Sequence, residues 1–140
     1  MTAIVPDGHS KPIGLYSPGV ALSVSATDRL VFVSGQVATD DQGNVLAPGD
    51  AGAQAEIVFE RIRQVLNGAG GDLADLVNLV IYVHDVARDF KAVSTVRNRV
   101  LSRPAPASTL VEVSRLAEEG CLVEISGIAV VSGDGARQVR

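Results

Sequence analysis

Three segments of the sequence are apolar on both faces of the strand that each would form, and they constrain the fold most. They are Leu30–Val33, Leu76–Val83 and Leu122–Val131. Side chains alternate between the two faces of a strand, so a run that is apolar at nearly every position needs cover on both sides. The second segment is interrupted only by Asn78 and Tyr82, which is typical of a central strand.

The chain supplies one clear helix to cover these strands. Between Ala53 and Leu66, apolar residues recur at spacings of three and four, which predicts an amphipathic helix. Asp50 is suited to cap its start, and Asn67-Gly68 is suited to end it.

A second, shorter helix is predicted over about Asp89–Leu101. Its pattern is less regular, because either Val96 or Arg97 can complete the apolar side. The other residues on that side are Phe90, Val93 and Val100. Two helices can cover only one face of a sheet, so the second face is expected to pack against another subunit. A mean hydropathy of +0.26 also favours contact between subunits, because such contact would bury apolar surface that a monomer exposes.

The remaining segments are short strands, turns and loops. Residues 1–14 are polar and rich in turn-forming residues, and they predict a flexible N-terminal arm before a single domain over residues 15–140. Strands are expected near Ala21–Ser25 and Leu30–Ser34, and two prolines lead from the second helix into the last two strands. The expected fold is α+β, a mixed sheet with two helices on one face.

Composition and charge argue against several classes of function. The net charge is -4, the sequence pI is about 5.0 and Trp is absent, so a nucleic-acid partner is not expected. His9, His84 and Cys121 are scattered without metal-ligand spacing, so we expect no metal and no cofactor. No segment approaches the ~18 apolar residues that span a bilayer, which predicts a soluble cytoplasmic protein without a membrane partner.

Two glutamates lie within the last two strands and need an explanation. Glu112 and Glu124 each stand between two β-branched residues. Burying a carboxylate is costly unless it has water, a hydrogen-bond donor or a ligand. From the residues alone, the simplest interpretation is that both are exposed strand glutamates.

The order of the residues around Glu124 resembles the RidA/YjgF family, the reactive intermediate (imine and enamine) deaminases. The similar segment begins at Pro106 with Pro-Ala-x-x-x-Val-x-Val and continues through Leu and a polar turn to Val-Glu-Ile. The resemblance runs from Tyr16 to Val131. Further matching segments are Leu15–Pro18, Val31–Gln36, Asn67–Gly71 with Leu73 and Val77, and Asp89-Phe90.

The resemblance implies a chorismate mutase-like fold that forms a homotrimer. In such proteins the sheets pack into a central barrel, and a ligand pocket lies in each cleft between subunits. An arginine of the family fixes the substrate carboxylate, and a glutamate orients the water that attacks the imine carbon. Glu124 matches that glutamate, Tyr16 matches the family's tyrosine, and Gly35 matches the glycine whose backbone lines the cleft.

The sequence departs from the family where the substrate would be held. Ser108 occupies the position of the signature arginine, and Ser94 stands where deaminase members commonly have Asn. Loss of the charge removes the main anchor of a 2-iminoacid substrate. Ser108, Thr109 and Tyr16 are then expected to supply neutral hydrogen bonds. Arg103, in the preceding loop, is a candidate to reach the cleft, although a solvated loop cation is the simpler interpretation.

Three functions are compatible with these residues. The first is RidA-like hydrolysis of an imine, enamine or related unsaturated small molecule, with Glu124 handling the water. The second is a non-catalytic homotrimer that binds a metabolite in the same clefts. The third is endoribonuclease activity, which fits the acidic charge and the missing stacking residues least well.

Overall fold

The computed structural model describes residues 1–133, which form a mixed four-stranded sheet, a small two-stranded sheet and two α-helices. This arrangement confirms the α+β class that the sequence predicts. In chain order the elements are β1 (Thr2–Ile4), β2 (Gly19–Ala21), β3 (Arg29–Gln36), α1 (Ala51–Gly68), a 3-10 turn (Leu73–Asp75), β4 (Leu76–Val83), α2 (Val86–Val100), β5 (Ala107–Glu112) and β6 (Val123–Val131).

The main sheet has the strand order β3-β6-β4-β5. β6 runs antiparallel to both of its neighbours, whereas β4 and β5 are parallel and are connected through α2. The bounds predicted for the central strand, Leu76–Val83, are those of β4, which lies inside the sheet between β6 and β5.

Both helices pack on the same face of the main sheet. The buried cluster on that face combines Phe59 and Ile62 of α1 and Val93 of α2 with Leu79 and Ile125 of the sheet. Each of these five residues is at most 1% exposed. Their burial is the main favourable contribution to the fold of this layer, because it removes large apolar side chains from water.

The opposite face of the sheet, called the open face below, has no helix over it in residues 1–133. Leu30 and Phe32 of β3 lie on this face with 52% and 69% of their surfaces exposed, and Val111 of β5 with 40%. Tyr82 pairs with both Val111 and Glu124, so Glu124 lies on the open face as well. This face therefore combines exposed apolar side chains with a carboxylate.

α1 has the predicted cap at its start but includes Asn67-Gly68, which were expected to end it, whereas α2 starts earlier than expected. Asp50 caps α1 by accepting a backbone hydrogen bond with its side chain. α2 begins at Val86 rather than near Asp89, because Asp85 caps it by accepting a hydrogen bond from Arg88 N at 3.0 Å. The prediction placed the helix start at a residue that lies within its first turn.

Glu112 helps to fix the same helix start. Its Oε1 accepts a hydrogen bond from Val86 N at 3.0 Å. This bond satisfies one of the free N–H groups of the first turn, and a carboxylate at that end also interacts favourably with the helix dipole. Of the two strand glutamates, Glu112 is thus explained by the fold.

The strand predicted near Ala21–Ser25 has the wrong bounds. β2 ends at Ala21 and pairs antiparallel with β1, which lies within the arm predicted over residues 1–14. Ser25 belongs to a turn instead, because the side chain of Asp28 accepts a hydrogen bond from Ser25 N at 2.8 Å. Within residues 1–133, neither helix is long and apolar enough to cross a membrane.

Gln54 connects α1 to the segment that leads into β6. Its side chain is 0% exposed. Nε2 donates to Gly120 O at 3.1 Å and to Ala47 O at 3.3 Å, and Oε1 accepts from Leu122 N at 2.8 Å. These bonds satisfy three backbone groups and fix the chain two residues before Glu124.

Replacing Gln54 by leucine is expected to lower the free energy of unfolding by about 2–4 kcal/mol. The substitution leaves Leu122 N and Gly120 O without their partner, whereas Ala47 O keeps its bond from Asp50 N. Each buried unsatisfied group costs about 1–3 kcal/mol, reduced where the structure relaxes. Gln64 is exposed on the same helix, so Gln64→Leu is the matched control and should change stability by less than about 0.5 kcal/mol. Equal effects of the two substitutions in urea denaturation would contradict this role of Gln54.

Candidate functional site

The site residues predicted from the sequence divide between opposite faces of the main sheet. Glu124 pairs with Tyr82, whereas Ser108 pairs with Leu79. Tyr82 and Leu79 are three positions apart in one strand, so they and their partners point to opposite faces. Glu124 lies on the open face and Ser108 on the face that the helices cover. A single chain therefore does not bring both side chains to one face.

Glu124 lies against the backbone of Gly35. The register between β3 and β6 shifts between Val33 and Gln36, so that two residues of β3 stand opposite Ser126 alone. Such a bulge changes the direction of the strand and of its side chains. A Cβ at position 35 would overlap Oε2 of Glu124 and would lie 2.8 Å from its Cδ. Glycine at this position allows the carboxylate to lie directly on the strand.

Tyr16 lies near the start of β5, and the neighbouring Ser17 fixes its position. Ser17 N donates a hydrogen bond to Pro106 O at 3.0 Å, and Ser17 Oγ donates to Ala105 O at 2.6 Å. These bonds hold the tyrosine beside the start of β5, where Ser108 lies.

Ser94 and Ser108 each bury a hydroxyl group that has no hydrogen-bond partner among the described residues. Ser94 is on the inner side of α2 and is 7% exposed. Buried hydroxyl groups in proteins are nearly always hydrogen bonded. Two unsatisfied ones, Ser94 on α2 and Ser108 on β5, are a departure from ordinary core packing.

Arg97 is the most unusual residue of this region, and the sequence did not single it out as a site residue. It follows Ser94 by one helical turn and is only 2% exposed. Its guanidinium lies over the ring of Tyr16, with Cζ 5.6 Å from the ring centroid. Nε donates to Asn98 Oδ1 at 3.3 Å, whereas Nη2 is buried without a partner in residues 1–133.

The environment of Arg97 disfavours its positive charge. Burial lowers the pKa of the guanidinium, and Tyr16 opposes this shift only in part. The sequence contained one indication of this position, because the helical spacing put either Val96 or Arg97 on the inner side of α2. Both residues are buried. Tyr16, Ser94, Arg97 and Ser108 are called the inner group below.

Arg103 and Thr109, the other two predicted site residues, are both exposed. Arg103 is exposed in the loop between α2 and β5. Thr109 is exposed on β5 and pairs with Val80, which places it on the open face. There it shares a face with Glu124, but β4 separates their two strands.

A cavity of about 680 Å³ lies beside the connection between β5 and β6, lined by His84 and residues 114–122. Its Cys121 is a poor nucleophile, because burial raises the pKa of the thiol and the negative charges of Glu118 and Glu124 raise it further. In the part of the chain that the structure describes, no three His, Cys, Asp or Glu side chains converge in a way that could hold a metal ion.

Known proteins resemble this chain over nearly its whole length. The family model described as Endoribonuclease L-PSP matches residues 8–131. The 3-aminoacrylate deaminase RutC of Acinetobacter baylyi is 34% identical over 128 residues, which cover 91% of this chain and 96% of that protein.

Two solved structures illustrate the similarity of fold. RidA from an Antarctic Psychrobacter species has a TM-score of 0.66 at 32% identity, covering 94% of this chain and 100% of its own. The Rid family protein YyfB of Yersinia pestis has a TM-score of 0.78 at 26% identity, covering 93% and 98%.

Replacing Gly35 by alanine is expected to displace the Glu124 carboxylate while the fold is retained. The new methyl group would overlap Oε2, and the end of a glutamate side chain moves more easily than the strand backbone. A crystal structure of the variant should show Glu124 in another rotamer. Gly68→Ala is the control, because a Cβ at that position meets nothing within 4 Å. An unmoved Glu124 in Gly35→Ala would contradict this account of the contact.

Proposed function

The chain belongs to the Endoribonuclease L-PSP family, and from this membership we propose that it hydrolyses an imine or enamine of a small metabolite and releases ammonia. A relative that covers nearly the whole chain is named 3-aminoacrylate deaminase, and 3-aminoacrylate is an enamine. The residue that would handle the water is Glu124.

The proposed reaction needs only water as a second reactant. The water oxygen forms a bond to the imine carbon, and one water proton passes to the Glu124 carboxylate and from there to the nitrogen. The proton of the new hydroxyl group then passes through the same carboxylate to the nitrogen as the C–N bond breaks, so that ammonia leaves and a carbonyl compound remains. An enamine first takes a proton on carbon and loses one from nitrogen to become the imine. A single carboxylate can mediate these proton transfers in turn.

The observation that carries the proposal is the position of Glu124 against Gly35 on the open face. Val123 and Ile125, its neighbours in β6, point into the core and are 0% exposed. Glu124 itself is only partly buried, so water can reach it. The carboxylate has a fixed support on one side and a surface open to a substrate on the other.

We also propose that a second subunit completes the site within a homotrimer. Glu124 and the inner group lie on opposite faces, so a neighbouring chain has to bring one set to the other. The exposed Leu30 and Phe32 support this arrangement, because packing between subunits would remove them from water. The substrate would then lie in the cleft between two subunits.

Two other functions compete with this proposal. A non-catalytic trimer would bind a metabolite in the same clefts without releasing ammonia. Endoribonuclease activity, after which the family model is named, finds less support, because the chain has a net charge of -4 and no Trp on which a base could stack.

Glu124→Gln is expected to lower kcat for ammonia release by about 10²–10⁴-fold, since the amide cannot accept and return a proton. Freshly generated 3-aminoacrylate and 2-iminopropionate are suitable substrates, and released ammonia is measured by a coupled assay. Glu112→Gln is the matched control, because the amide oxygen can still accept the bond from Val86 N and the residue lies outside the site.

Two results would contradict the proposed function. If the wild-type protein does not accelerate ammonia release from either substrate, hydrolysis of these imines and enamines fails. If Glu124→Gln and Glu112→Gln have the same turnover as the wild type, the proton-transfer role of Glu124 fails.

A further inference from the structure

Tyr82 stands directly opposite Glu124 on the open face. The two residues are partners in the antiparallel pairing of β4 with β6. Side chains at directly opposed positions share one face, and their Cβ atoms are about 4.5–5.5 Å apart. Both residues are half-buried. A phenol and a carboxylate therefore occupy one small region of this face.

The side chain of Glu124 extends away from Tyr82. A Cβ at Gly35 would overlap Oε2 of Glu124 and would lie 3.0 Å from its Cγ, so the side chain leans from β6 over β3. Tyr82 is in β4, on the other side of β6. Neighbouring strands are about 4.8 Å apart, so β3 and β4 are separated by about 9.6 Å. The carboxylate and the phenol are thus on opposite sides of β6, with its backbone beneath the space between them.

Neither polar group has a partner within the chain. Among residues 1–133, no hydrogen bond or ion pair includes the side chain of Glu124 or of Tyr82. The partner of Tyr82 in β5 is Val111, which is apolar. A tyrosine hydroxyl group on a face that becomes buried usually finds a hydrogen-bond partner. Two hydrogen bonds of about 2.8 Å in series span about 5.6 Å, so one water molecule can connect the phenol to the carboxylate within the strand separation.

We propose that Tyr82 positions the reacting water. One hydrogen of the water is donated to the Glu124 carboxylate and the other to Oη of Tyr82. The lone pair of the water oxygen then points away from both side chains and toward the carbon of the bound imine, which is the alignment that the attack requires. This inference rests on the proposed function and adds a positioning residue to it. Glu124 remains the group that takes the proton.

Tyr82→Phe tests this role because it keeps the ring and removes only the hydroxyl group. It is expected to lower kcat for ammonia release from 3-aminoacrylate by about 10–100-fold, because a poorly aligned reactant costs a factor of this size. KM should change by less than about twofold, since the hydroxyl group does not hold the substrate. Tm should stay within about 3 °C of the wild type, because no hydrogen bond of the chain is lost.

Thr95→Val is the control for the loss of a hydroxyl group. Thr95 is exposed on α2, and its Oγ1 donates to Lys91 O at 2.7 Å. This variant should have the kcat of the wild type. If Tyr82→Phe has the kcat of the wild type as well, the positioning role of Tyr82 fails. A lower kcat together with a Tm well below that of the wild type would assign Tyr82 to packing and would also contradict the inference.

Coupling to Glu124 distinguishes a shared water from an independent effect. In the Glu124→Gln variant the water has lost its proton acceptor, so the further change Tyr82→Phe should lower the residual kcat by less than about threefold. A full 10–100-fold loss in both backgrounds would show that Tyr82 acts independently of Glu124, which would contradict the inference.

A crystal structure that resolves ordered water tests the same arrangement without turnover. The wild type should contain a water within about 3.2 Å of both Oη of Tyr82 and a carboxylate oxygen of Glu124, and Tyr82→Phe should lose it. The same water in both structures would contradict the inference, as would a direct hydrogen bond between the two side chains.

The two proposals can fail separately. A bridging water in a wild type that releases no ammonia would contradict the deaminase and leave the water site intact. Ammonia release with an unchanged kcat in Tyr82→Phe would contradict the positioning role and leave the deaminase intact.

Discussion

The alternation of side chains along β-strands is the constraint on which the rest of this structure depends. It directs Glu124 to the open face and Ser108 to the helix-covered face, because their partners in β4 are separated by an odd number of positions. A rotamer change cannot reverse this, since only a shift in strand register moves a side chain to the other face. The carboxylate of Glu124 and the inner group are therefore kept apart within one chain. In the proposed trimer, a second copy of the chain would cover the exposed apolar residues of the open face and would also complete the site.

The second constraint is the charge buried on α2. Ser108 leaves the start of β5 neutral, and Arg97 contributes a guanidinium to the same region from the opposing helix. The arginine lies under the segment at Gly14 and against Tyr16, and its Nη2 has no hydrogen-bond partner among the described residues. Retaining such a group at the expense of stability is typical of binding sites rather than of cores. The position of Glu124 on Gly35 and the burial of Arg97 are thus two separate local arrangements on opposite sides of the sheet.

Much of the fold was predictable from the sequence, because strong periodicity fixes elements such as α1 and β4. The start of α2 was not, because its cap, Asp85, precedes the apolar pattern. Glu124 was identified by a resemblance around an unusual position within a strand. Arg97 was missed, since helical spacing alone did not choose between it and Val96, and arginines are usually exposed. The separation of Glu124 from Ser108 depends on the pairing of three strands, which no single segment of sequence contains.

The most direct test of a site shared between subunits combines two variants in one assembly, each of them defective in a different half of the site. Arg97→Met impairs the inner group and Glu124→Gln impairs the open face, so each variant alone should have little activity with 3-aminoacrylate at low concentration. Co-expressed in equal amounts with different tags and purified as mixed assemblies of the proposed trimer, they should recover about a third of the wild-type activity, because every mixed trimer has one cleft of three with both halves intact. Activity no greater than that of the two separate variants would show that both halves of the site come from one chain and would contradict the account.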